Sequence, residues 1–502
     1  MSILTNPHCV FAILNAMKRE LSKSRQPLVR ATVYSVMTVS VIVIVTLLMF
    51  VVLGYQFNER DGRIEQGGLL QFASVPTGAT VTLDDSRLGP QTNSKANVTV
   101  GSHSVSFDRN GYRTWKKTIT IGAGQIGWLS YARLIPSTIE PVDIRTFTDL
   151  NSALASPQQN YMLLHEAADQ PSFVLANIQG DTVRYDMLTL PAGSYTPPSA
   201  GKTQSFILDS WSENEAAVLI KHVYDDNKEE WLLLDRDAPD RSLNVSSIFA
   251  IQPSKIVFAG KGDRLLFAQT DDIVRRINLD EQTLSRPLAS KVTYFTGYDD
   301  KTIAYVATAN SNQQRTVGYA AVDVSDPIVL GTYPDDGQPL YATMSTYFSK
   351  RFVVILHGQT LTVKAGTLPT KSDKGSLKHT TTVKVPAGAT DLSLEHNSRF
   401  AVMRLPDGYA TYDIELNKFD STIWAAQSTA VRSLQWLDQY ILWSDHGGQL
   451  RLYEFDGANQ QNIMPVTEGF AVSVSPNDKY IYGVLKTDKG FEFQRAQLIL
   501  DN

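Results

Sequence analysis

SPNDKYIYGVLKTDKGFEFQRAQLIL, residues 475–500, carries the pattern that decides the fold. A polar turn, Ser475-Pro476-Asn477-Asp478-Lys479, opens onto an apolar strand beginning at Tyr480, and a second turn at Lys489-Gly490 leads into another strand. Short apolar runs bounded by Gly, Pro, Asn and Asp clusters read as strands and tight turns. The same order recurs upstream in SENEAAVLIKHVYDDNKEEWLLLDRD, GKGDRLLFAQTDDIVRRINLD, YFSKRFVVILHGQTLTVKAG and EHNSRFAVMRLPDGYATYDIEL, and in three further units. Their opening turns lie near residues 156, 212, 260, 298, 348, 396, 437 and 475, an average spacing of about 46. A period of roughly 40–50 residues with short strands and no helical pattern is that of a β-propeller blade.

The Ser475–Tyr480 opening also resembles the S-P-D-G-K start of periplasmic and WD-like propeller blades. The expected architecture over residues 140–502 is therefore a seven- or eight-bladed propeller, with eight favoured. Val142-Asp-Ile-Arg-Thr-Phe147 is expected to complete the last blade and close the ring. A stack of β-sandwich domains is the alternative; a Pro/Gly linker breaking the repeat would mark it, and none interrupts the pattern.

Near the N-terminus, Val33–Leu53 is an uncharged apolar run, VYSVMTVSVIVIVTLLMFVVL. Its 21 residues would extend about 31 Å as a helix, matching a hydrocarbon core of roughly 30 Å. Lys18, Arg19, Lys23, Arg25 and Arg30 precede it, whereas Glu59, Arg60, Asp61, Arg63 and Glu65 nearly cancel after it. Basic residues stay cytoplasmic, which places the N-terminus inside and the bulk of the chain outside. A cleaved secretory signal would have a shorter apolar core and a small-residue cleavage site, which Gly54–Asn58 does not offer. The expected domains are a basic cytoplasmic tail (1–32), a transmembrane signal anchor (33–54), a linker (55–68), a small sandwich (69–136) and the propeller (140–502). Val10–Met17 could lie on the inner membrane surface as a short amphipathic helix; a basic tail that only sets topology is the simpler reading.

With 502 residues and 43% hydrophobic content the chain can bury more than one core. Its formal charge of −5 is spread in small alternating groups, which argues against a nucleic-acid partner. Cys9 is the only cysteine, so the external part holds no disulfide and depends on packing, as suits a prokaryotic envelope protein. Asn97-Val-Thr and Asn244-Val-Ser match a glycosylation pattern that is frequent by chance.

Between the anchor and the propeller, residues 69–136 alternate with period two, as in Ala79, Val81 and Leu83, and again in His103, Val105 and Phe107. About six short strands are expected, separated by turns at Pro76-Thr77-Gly78, Asp84-Asp85-Ser86, Gly89-Pro90, Gly101 and Asn110-Gly111. The order S-x-P-x-G-A-x-V-x-L-D, a Gly-Pro pair, G-x-H-x-V-x-F and G-Y-x-x-W, running from Ser74 to Trp115, resembles a PEGA domain. Here the eponymous tetrapeptide is Pro76-Thr77-Gly78-Ala79, and Asp84-Asp85 stands in place of the family's Asp-Gly turn. The resemblance implies a surface-exposed sandwich serving as spacer or adhesion module, without catalytic residues. Tyr112 and Trp115 are expected in its small core, with a sugar-stacking pair as the functional alternative.

Catalytic signatures are missing. There is no G-x-S-x-G elbow, and the eight histidines are spread singly without H-x-x-x-H spacing. Asp225-Asp226-Asn227 with Glu229-Glu230 is the densest acidic group, but it lacks the spacing and glycine of a calcium loop and reads as a hairpin tip. Lys371–Lys378 is a basic, Ser-rich loop. Trp211, Trp231 and Trp443 fall on packing positions of the repeat, whereas Trp424 and Trp436 flank an inter-blade connection. The candidate ligand contacts are therefore Tyr112, Trp115, Trp424 and Trp436, with no catalytic residue, metal ligand or cofactor site assigned. The expected role is that of a membrane-anchored extracytoplasmic binding protein whose propeller engages a cell-wall glycan or an envelope protein. The alternatives are an enzyme in the propeller channel, working on envelope polysaccharide through two carboxylates, and a structural subunit of a membrane assembly.

Overall fold

The computed structural model describes residues 26–52, 55–58, 63–373, 375–395, 397–424 and 434–501. The expected Val10–Met17 helix and most of the basic tail lie outside the described residues. The chain divides into two compact units: Met1–Phe107 with Lys116–Ala132, and Asp108–Trp115 with Arg133–Asn502.

In the first unit, helix α1 (Gln26–Val52) takes in the apolar run as far as Val52 and begins several residues before it. From Arg30 to Phe50 it has the length and hydropathy of a membrane span, and its side chains there are exposed rather than packed against protein. Where the sequence reads as a linker, Tyr55–Asn58 and Arg63–Gln66 pair as a short antiparallel hairpin. The sandwich has seven strands rather than six. Three form one sheet in the order Ser94–Val98, Gly68–Val75, Ile126–Arg133; the other four are ordered Ser86–Gln91, Thr80–Leu83, Gly101–Asp108, Trp115–Ile121. Alternate residues Leu70 and Phe72 of one sheet face Val105 and Phe107 of the other, and the Phe72 and Phe107 rings meet edge to face at 5.9 Å. Asp84 and Asp85 both take positive φ (47° and 65°), so the expected turn forms with aspartates where a glycine would be less strained. Gly89-Pro90 is not a turn. It lies within Ser86–Gln91, an edge strand, where a residue without an N–H breaks no ladder.

Among the described residues, the second unit contains eight four-stranded antiparallel sheets. Seven follow chain order, from blade 1 (first strand Ser152–Ala155) to blade 7 (first strand Gln435–Trp436). Blade 8 joins Ser473–Val474, Tyr480–Thr487 and Gly490–Gln497 to Val142–Phe147 from the other end of the domain. That closing strand pairs Val142 with Arg495 and Phe147 with Phe491, so the ends of the propeller are held by one ladder. Gly490, at φ 122°, allows it: a Cβ there would lie 2.2 Å from the Phe147 carbonyl oxygen.

The middle strands of each blade are buried on both faces, which explains their unbroken apolar runs. In Tyr161–His165 of blade 1, Met162 and Leu164 pack toward blade 8 with Tyr482 and Phe493. Leu163 turns the other way, toward Phe206 and Val218 of blade 2. Similar clusters fill the seams between blades 2 and 3, 3 and 4, 4 and 5, 5 and 6, and 7 and 8. Full burial of each Leu, Val or Phe contributes about 1.5–3 kcal/mol, so packing alone can hold a cysteine-free ring.

Candidate functional site

The first strand of each blade faces the axis, and its hydrogen bonds show the convergence. Tyr294 of blade 4 donates through its hydroxyl to Leu392 O of blade 6 at 3.2 Å, passing blade 5. Tyr341 of blade 5 donates to Thr390 O at 2.7 Å, and Thr296 to Ala342 O at 3.3 Å. Around these tyrosines the first strands of blades 2, 3 and 6 contribute Asp209, Lys255 and Asp391. Lys255 Nζ donates to Phe295 O at 3.0 Å and sits over the Phe295 and Tyr294 rings, 4.6 and 5.4 Å from their centroids. Burial depresses its pKa, and the carboxylates of Asp391 and Asp209 pull against that shift. Burial likewise raises the carboxyl of Asp209 and the phenol of Tyr294. The result is a polar layer in which an amine is balanced by two nearby carboxylates.

At one end of this layer the turns joining first and second strands form a cavity of about 650 Å³. Blade 2 supplies Glu213, blade 3 Phe258 and Lys261, blade 4 Tyr298 with Asp299 and Asp300, and blade 6 Ser398. Several wall residues are fixed by their own turn or by a neighbouring blade. Asp299 Oδ1 accepts the Lys301 and Thr302 N–H groups at 2.9 and 2.7 Å, while Ser345 of blade 5 donates to Ser398 O at 2.7 Å. Tyr298 Oη and Thr346 Oγ1 are 2.5 Å apart. The turns of blades 3 and 4 meet closely because Gly260, at φ 70°, has no side chain; a Cβ there would lie 3.0 Å from that of Asp300. Three carboxylates, one ammonium and two aromatic rings give a mixed wall suited to holding a polar ligand with an apolar part rather than to proton transfer between a matched pair.

The four residues singled out from sequence lie elsewhere. Tyr112 is 8% exposed and accepts the Leu500 N–H at its hydroxyl, at 2.8 Å. Trp115 is 2% exposed, with its indole N–H donated to Glu454. Trp424 is 5% exposed, against Tyr409 and Tyr453, and Trp436 packs 5.9 Å from Phe400. None of them lines the cavity. The acidic hairpin at Asp225–Asn227 is a turn with three consecutive positive φ values, its carboxylates taken by Ser199, Lys202 and Lys228. Lys371 of the basic loop is paired with Asp326. Among the described residues, no three His, Cys, Asp or Glu side chains converge on a metal-sized space. Asp299-Asp300 belongs to the opening turn near residue 298, and the available signal was that every opening turn of a repeat lies at the same end of its blade.

Residues 68–134 match the PEGA domain family. No curated protein matches the chain. Among solved structures, the β-propeller domain of Cps50 (Swd1) from Myceliophteria thermophila aligns at 9% identity and a TM-score of 0.35, covering 72% of this chain and 99% of that one. An oligogalacturonate lyase in complex with manganese aligns at 11% identity and a TM-score of 0.36, covering 72% and 98%. The oligogalacturonate lyase from Vibrio parahaemolyticus gives 8% identity and a TM-score of 0.36 over the same shares. The propeller assignment rests on the eight sheets themselves. An apolar helix, a PEGA domain at residues 68–134 and an eight-bladed β-propeller thus make up the described chain.

Proposed function

We propose that this chain is a single-pass, membrane-anchored binding protein of a bacterial-type cell envelope. Helix α1 serves as an uncleaved signal anchor with the N-terminus inside, the PEGA domain as a spacer, and the propeller as the extracytoplasmic head. The observation that carries the reading is the cavity at the channel mouth, built by turns of four blades and walled by both charges and rings. A PEGA domain and a propeller both fit an interaction role. Support for the topology comes from the apolar helix and from the basic residues ahead of it.

A second reading, turnover inside the channel, draws on the depressed Lys255 amine near Asp209 and Asp391. Two experiments separate the readings. Protease added to intact spheroplasts should digest the propeller; protection until lysis would overturn the proposed topology. The full chain in detergent should co-sediment with purified wall polysaccharide or envelope membranes without releasing soluble sugar ends. Sustained product release would make it an enzyme instead.

A further inference from the structure

Phe348 is out of keeping with its surroundings. It is 77% exposed, at the tip of the turn between the first two strands of blade 5, with a φ of 44°. Tyr347 and Lys350 pair across a two-residue loop whose central residues, Phe348 and Ser349, are both left-handed. Such loops favour Asn, Asp or Gly, because a bulky side chain is strained there. Among the described residues, the other non-glycine positions of positive φ hold Asp, Asn, Gln, Glu, Ser, Lys or Ala, and Phe348 alone is aromatic. A phenylalanine that is both strained and in solvent contributes little to folding, and strain of this kind collects at functional positions.

Its neighbours extend the feature into a surface. The Phe348 ring meets Tyr347 edge-on at 4.6 Å, and the Tyr347 hydroxyl donates to Glu415 Oε2 at 3.0 Å. Leu416, next in the chain, is 56% exposed in a turn of blade 6. On the other side the patch joins the cavity: Thr346 contacts Tyr298, and Ser345 bonds to Ser398, both of them cavity walls. An apolar brim (Phe348, Leu416) therefore borders a mouth whose described lining carries Glu213, Asp299 and Asp300 against Lys261, while the nearby Arg399 is paired with Glu415 and Asp413.

We propose that this face docks an extended peptide segment of a partner protein, a basic side chain entering the cavity and an adjacent apolar side chain resting on Phe348 and Leu416. The charge balance of the mouth selects Lys or Arg, and the brim selects Leu, Ile or an aromatic residue. The proposal rests on the binding-head reading and names the partner class for it.

The test uses the full chain in detergent and a set of fluorescein-labelled nonapeptides. Each has a Gly-Ser background, one Arg and one Leu at varied separation, and controls with Glu for Arg or Ser for Leu. At least one Arg/Leu spacing should bind at least tenfold more tightly than both controls, and more weakly at high salt. Phe348→Asn should weaken that binding tenfold or more while raising the unfolding midpoint, because Asn tolerates the left-handed turn. Asp300→Asn should weaken it severalfold and flatten the salt dependence. Binding no better than the controls, or unchanged by Phe348→Asn, would overturn the proposal, as would a lowered midpoint, which would make Phe348 structural. A dimer of the full chain that dissolves in Phe348→Asn would assign the face to self-association and overturn it as well. If Phe348→Asn still co-sediments with envelope material as the parent does, the docking proposal fails while the binding-head reading stands.

Discussion

Glu230 should make the propeller acid-labile through one carboxylate. It lies on the third strand of blade 2, is almost fully buried, and ties together four segments. His222 Nδ1 approaches Oε1 at 2.8 Å, the Thr196 N–H and hydroxyl donate at 2.7 and 2.8 Å, and Asn244 Nδ2 donates at 2.9 Å. Burial alone would push this carboxyl up, but the four donors outweigh it and hold the pKa at about 2, below its ordinary 4.5. A pKa lowered on folding stabilises the native state above the unfolded value, and that stabilisation fades as pH falls through the folded value. The shift corresponds to about 3 kcal/mol at neutral pH, of which about 2 kcal/mol is gone by pH 3. Glu230→Gln keeps the shape but removes the charge and turns an amide toward the donors. Urea unfolding followed by tryptophan fluorescence, with Trp231 as a neighbouring reporter, should show the variant about 3 kcal/mol less stable at pH 7. The gap should shrink to roughly 1 kcal/mol at pH 3. A gap that is constant between pH 7 and pH 3 would refute the assignment of the acid sensitivity to Glu230.

Other substitutions probe the ring and its faces. Arg133, largely buried, donates to Asp438 at 2.8 Å and Asp478 at 2.6 Å in the turns of blades 7 and 8; Arg133→Ala should cost about 1.5–3 kcal/mol by urea titration, because two partly exposed carboxylates lose a charged donor. Gly490→Ala should lower stability by more than 1 kcal/mol, on the order expected where φ is positive and the backbone of Phe147 is in the way, and should raise hydrogen exchange along Val142–Phe147. Leu163→Ala should cost about 2–5 kcal/mol, measured by the same titration, since the site is fully buried in the seam between blades 1 and 2.

Much of the propeller was legible because burial on two faces leaves a strong mark. The eight opening turns near residues 156, 212, 260, 298, 348, 396, 437 and 475 all fall between the first and second strands of a blade. The two strands after each turn are the middle strands, whose apolar runs a sequence displays directly. First and last strands were not legible. Gln435–Trp436 and Ser473–Val474 are only two residues long, and the outer strand Lys378–Lys384 is largely exposed and polar. The closing strand Val142–Phe147 was recognisable only because a ring needs one, not from its own pattern. In the sandwich, Gly89-Pro90 misled because turn chemistry and edge-strand chemistry use the same residues.

The candidate site was hidden for a different reason. Glu213, Lys261, Asp300 and Ser398 come from four repeats, and nothing local relates them; only closure of the ring brings their turns to one mouth. The four aromatic residues chosen from sequence went the other way, because ring size attracts attention and all four rings are buried or half-buried within the second unit. The more informative signal in such a repeat is a turn residue that breaks the chemistry its neighbours share. Among the described residues, positive φ at non-glycine positions falls on polar residues or alanine, as at Gln159, Glu215 and Asp271, except at Phe348. Opening turns do link neighbouring blades, as where the Gln158 N–H donates to Glu215 Oε1 at 2.9 Å, but Phe348, 77% exposed, is packed into no seam. The cost of a misfit side chain at one turn is then best explained by contact with something outside the fold.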